Sequence, residues 1–67
     1  MMDTLGEALP KEMARVRDLI PLYQQIPTGV FAVAMMRADL DAAAKAMIEG
    51  DLPEMIRRYE SLKGYHR

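Results

Sequence analysis

The six residues Glu49–Glu54, EGDLPE, decide the architecture of this chain. Glycine after a run of helix formers accepts the left-handed backbone that ends a helix, so Gly50 predicts a stop. Asp51 and Glu54 stand at capping-box spacing, and Pro53 falls in the first turn of the helix that this cap would open. One helix thus ends and another begins within about two residues, a connection that turns the chain back along itself. The stretch predicts an antiparallel αα-hairpin.

Upstream of it, Thr28 is placed to cap a long second helix over 29–49. Downstream, a third helix over 52–63 carries Leu52, Met55, Ile56, Tyr59 and Leu62 on one face and stops at Gly64. The segment Ala44–Gly64, AKAMIEGDLPEMIRRYESLKG, resembles the inter-helix turn of a tetratricopeptide repeat, where a helix ends in Gly-Asp and the next carries spaced apolar and tyrosine positions. Repeat folds need about three stacked copies to bury their faces, and the chain holds one. The resemblance implies the hairpin and not a solenoid.

On the N-terminal side, Leu9, Met13, Val16, Ile20 and Tyr23 recur in steps of four and three and mark one apolar stripe. A first helix is expected over about 10–25, opened by Pro10 at an early position and kinked or broken near Pro21, whose ring crowds the Arg17 carbonyl. Pro27 ends it. Residues 1–8 read as a flexible segment, although Thr4 and Glu7 have capping-box spacing. Residues 65–67 read as a flexible tail, leaving 9–64 as a single all-α domain of three helices.

A chain of 67 residues has little core, and domains this small usually need a staple. The absence of cysteine removes disulfides and thiolate metal sites and suits a reducing cytoplasm. The single histidine, His66, is next to last. A second copy is the staple that remains. Nine basic and ten acidic residues leave a net charge of −1, too little for a global pull on nucleic acid or anionic lipid. The run Gly29–Met36, GVFAVAMM, has no polar side chain, but Arg37 and Asp39 end it far short of the roughly 20 apolar residues of a membrane span. The chain reads as soluble, with no membrane partner.

Helix two is apolar on more than one side. Val33, Met36, Leu40, Ala43 or Ala44, and Met47 form a stripe suited to a core. A second stripe holds Phe31, Met35, Ala38, Ala42 and Ala46, whose short side chains permit close helix approach. A polar strip of Arg37, Asp41 and Lys45, alternating in charge at steps of four, runs between them. The second stripe is covered either by the other two helices or by a second chain. The shortage of core favours the second chain, so these five residues form the candidate interface of a homodimer, with another protein as the alternative partner.

No catalytic constellation can be assembled. Ser61 is the only serine, Asp39 and Asp41 point in different directions and read as solvated carboxylates, and no metal or cofactor motif is present. The segment Arg57–Arg67 interleaves basic residues with tyrosines. Arg57, Arg58, Lys63, Tyr65 and Arg67 are therefore candidate nucleic-acid contacts, although basic residues also complement the negative end of a helix. The expected function is a small protein–protein interaction module, homodimeric, acting as an adaptor or regulator and not as an enzyme. A nucleic-acid-associated regulator using the basic C-terminal segment is the alternative.

Overall fold

A computed structural model describes residues 4–66. It contains α1 (Leu5–Gln24), a 3-10 turn (Pro27–Gly29), α2 (Val30–Glu49) and α3 (Leu52–Lys63), with no strand among the described residues. The all-α architecture and the α2–α3 hairpin agree with the sequence reading, and α1 packs against both members of the hairpin.

The hairpin turn is made as its residues dictate, with one exception. Gly50 takes φ +67°, and the N–H groups of Gly50 and Asp51 donate to the carbonyls of Met47 (3.3 Å) and Ala46 (2.9 Å). This is a Schellman stop. The Asp51 carboxylate then accepts the Glu54 N–H at 3.2 Å and caps α3. The reciprocal half of the capping box is not made, because the Asp51 N–H is already taken by Ala46. The Glu54 carboxylate turns instead to Arg57 and Arg58.

α1 starts at Leu5, a turn and more before the expected Pro10. Thr4 is its N-cap, accepting the N–H groups of Glu7 and Ala8 on its carbonyl at 3.0 and 2.7 Å, while its hydroxyl donates to the Glu7 carboxylate. Leu5–Ala8, expected in a flexible segment, form the first turns, with Leu5 against the core. Residues 1–3 of that segment lie outside the described residues. Neither proline breaks the helix. Pro10 and Pro21 are both exposed and stand eleven residues apart, three turns, on one outer line of α1. The carbonyls they leave without a partner, on Gly6 and Arg17, are on exposed residues and can be hydrated, which lowers the cost of each proline.

The entry to α2 also differs from expectation. Thr28 does not cap it; Pro27, Thr28 and Gly29 form the 3-10 turn, and α2 begins at Val30 without a side-chain cap. The core gathers Leu9, Met13, Val16, Leu19 and Ile20 from α1, five residues of α2, and Met55 and Leu62 from α3. Leu52 and Ile56, expected on the inner face of α3, are exposed. Leu52 sits at the turn, and Ile56 lies about 100° round the helix from Met55. Among the described residues, no helix is long and apolar enough to cross a membrane.

Gly29 is buried where α2 leaves α1. A Cβ there would stand 2.2 Å from the Tyr23 carbonyl oxygen, which already accepts the Ile26 N–H at 3.1 Å. Gly29→Ala must displace backbone, and a loss of about 2–3 kcal/mol is expected from urea unfolding. Gly6→Ala, at an open helical position, should instead add about 0.5–1 kcal/mol.

Candidate functional site

What α2 presents to solvent depends on where α3 is held, and a buried carboxylate holds it. Asp39, expected to be solvated, retains only 7% of its accessible surface. It lies three residues after Met36 and four before Ala43, so the helix turns it into the core stripe. Its Oδ1 accepts from Arg58 at 2.7 Å; its Oδ2 accepts from the Ser61 hydroxyl at 2.8 Å and the Tyr65 hydroxyl at 2.7 Å. Arg58 also donates to Glu54 at 2.5 Å.

Burial by itself would raise the pKa of Asp39 and favour the neutral acid. The hydrogen bonds from Tyr65, Ser61 and Arg58 outweigh it and hold the carboxyl below its ordinary value. The same contacts act on Tyr65 in the other direction: burial first, then the bond to the Asp39 carboxylate, push its phenol from 10.0 up to about 12. The cluster is an ion pair with two hydroxyl donors, all matched to one anion.

A second fastening comes from α1. Arg15 donates to the carbonyl of Leu62 (3.0 Å), in the last turn of α3, which also accepts the Tyr65 N–H, and to the carbonyl of Tyr65 (2.7 Å) just beyond the helix. Glu12 holds the same guanidinium through two bonds of 2.9 Å, and that hydrogen bonding lowers the Glu12 pKa against the opposing effect of burial. The Tyr23 hydroxyl donates to the His66 carbonyl. Tyr65 and His66, expected in a flexible tail, therefore form a strap across α1 and α2.

The basic residues read as candidate nucleic-acid contacts fall largely into these networks. Arg58 serves Asp39 and Glu54, Arg57 donates to Glu54 at 2.6 Å, Tyr65 is on Asp39, and the Lys63 ammonium sits 5.4 Å from the centre of the Tyr59 ring. Arg67 lies outside the described residues.

The candidate interface of α2 is split. Phe31 and Met35 are 82% and 59% exposed, Ala38 is exposed, Ala42 is half-buried and Ala46 is in the core. The final step of the stripe, four residues from Ala42, carries Ala46 about 40° farther round the helix than a full turn, into the arc that meets α3. The sequence stripe missed two exposed apolar residues of α2, Val30 at 69% and Ile48 at 87%. The missed signal is that they lie eighteen residues apart, five full turns, and so on one line. Beside Val30 an open groove of about 420 Å³ is lined by Gln24, Ile26, Val30, Val33, Ala34 and Arg37.

Asp39→Ala takes the acceptor from the half-buried Tyr65 hydroxyl and the Ser61 hydroxyl and one of the two carboxylates from Arg58, and should cost about 2–4 kcal/mol in denaturant unfolding; exposed Asp18→Ala should stay within about 0.5 kcal/mol. Tyr65 supplies the alkaline counterpart. Its phenol holds its proton more tightly folded than unfolded, so its contribution is whole below pH 10 and lost as the pH rises toward 12. Tyrosinate absorbance should show a step near pH 12, accompanied by unfolding, that Tyr65→Phe deletes.

The chain matches no protein-family model, no curated protein and no solved structure, so its function is argued from its own residues.

Proposed function

We propose that this chain is a protein–protein interaction module that works as a homodimer, an adaptor or regulator and not an enzyme. One observation carries the reading: the outer side of α2 leaves Val30, Phe31, Met35 and Ile48 more than half exposed. Covering a large apolar side chain stabilises by about 1.5–3 kcal/mol, and a small domain has few other sources of that magnitude. Large apolar side chains left this exposed on one helix mark an interaction surface.

Because the Asp39 bonds to Arg58, Ser61 and Tyr65 set α2 against α3, the face α2 presents is preformed. Association there needs no rearrangement of the three helices. A nucleic-acid role draws little support from the same geometry, since Arg57 and Arg58 are committed to carboxylates and Lys63 lies over Tyr59.

Light scattering behind size exclusion, at high micromolar concentration, should report twice the 7.6 kDa chain mass. Phe31→Lys, which removes the most exposed aromatic of the face, should shift the population toward monomer while circular dichroism stays helical. A wild-type monomer under these conditions would remove the homodimer reading.

A further inference from the structure

The outer line of α2 is complementary to itself. Val30, Ala34, Arg37, Asp41, Ala44 and Ile48 follow one another in steps of four, three, four, three and four, the repeat of a coiled-coil seam. All are exposed except Ala44, which is half-buried at the edge of the core. Reversing the helix reproduces the same order of steps. Laid antiparallel on a second copy, the seam sets Val30 against Ile48, Ala34 against Ala44, and Arg37 against Asp41, each pair occurring twice.

The chemistry agrees at every layer. The end layers join two of the most exposed apolar side chains, and the alanine layers let the helices come close. The central layers bring opposite charges together. Within the chain neither Arg37 nor Asp41 makes an ion pair or hydrogen bond among the described residues, despite their spacing of four. A parallel arrangement would instead place Arg37 on Arg37 and Asp41 on Asp41, a repulsion at the centre of the seam. Phe31 lies on the open flank of this line, and antiparallel pairing puts it beside Lys45 of the second copy, with Ala38 near the two-fold axis. The groove next to Val30 receives the end of the second α2 that carries Ile48.

We infer that the partner of this face is a second copy of the same chain, docked antiparallel along α2 with reciprocal Arg37–Asp41 ion pairs across a two-fold axis. The inference rests on the homodimer reading and assigns its register. It replaces the stripe through Ala42 and Ala46 by a line about one side chain farther round the helix, which the core leaves free.

The test is a charge swap in the full-length chain, with sedimentation equilibrium as the readout. Arg37→Asp and Asp41→Arg, each alone, put like charges in both central layers and should weaken self-association at least about tenfold. The double variant Arg37→Asp/Asp41→Arg restores both pairs at unchanged net charge and should return the dissociation constant to within about threefold of wild type. Both sites are exposed, so circular dichroism should match wild type for all three variants. Should the double variant lose helix, mixing the two single variants gives the same answer, since each supplies the charge that the other lacks. A dimer that ignores the single reversals, or that the double swap fails to restore, overturns this register and leaves the homodimer reading standing. A wild-type monomer overturns both.

Discussion

The Asp39 carboxylate is the constraint on which the rest of the structure depends. The core around it is built largely from Met, Leu and Ala, side chains that repack easily and fix the rotation of one helix on another only loosely. A buried anion does not repack. It must meet its donors at hydrogen-bond distance or carry an unpaired charge, and its three donors come from Arg58, Ser61 and Tyr65, one after another along α3 and the strap. Matching all three fixes both the rotation and the axial position of α3 on α2. A hydrophobic replacement could match the cluster in stability, as buried ion pairs often allow, but it would not impose that register.

The ends of α3 need the same kind of help. At twelve residues it is near the length at which an isolated helix is marginal in water. The Asp51 carboxylate accepts an N–H of its first turn and Arg15 donates to the Leu62 carbonyl of its last, so two polar side chains from outside the helix body fasten it at both ends. The consequence reaches the basic segment Arg57–Tyr65. Its charges look available in a list of residues, yet Arg57, Arg58 and Lys63 each have a partner within the chain. Charge density along a sequence is therefore a poor measure of charge offered to a partner.

Local signals carried the parts of the fold that were legible. Gly50, Asp51 and Pro53 act within a few residues of themselves, and the hairpin and the bounds of α3 follow from them. Thr4 and Glu7 marked the true start of α1 in the same way, but two prolines and a loose-looking N-terminus drew the expected start to Pro10. Asp39 was misread because an acidic residue is usually solvated. Its position between Met36 and Ala43 on the core stripe, with Arg58, Ser61 and Tyr65 at steps of three and four in the facing segment, was the available signal. The α2 face was half legible: periodicity gave a stripe, but only packing against α3 shows that Ala46 is inside and that Val30 and Ile48 are outside.

Two sets of charges in this chain do different work. Glu12 with Arg15 on α1 and Asp39 with Arg58 across the α2–α3 contact are paired, and Asp39 among them is buried. Arg37 and Asp41 are left bare in the middle of an otherwise apolar or small-residue line. An uninterrupted apolar line would bind more strongly, but it would accept either direction, several registers and many unrelated helices. Two opposite charges at its centre favour one direction and one register, because only that alignment pairs both charges of both copies. The same device works on both sides of α2. Asp39 selects the register of α3 on the inner face, and the Arg37–Asp41 couple is suited to select it on the outer one.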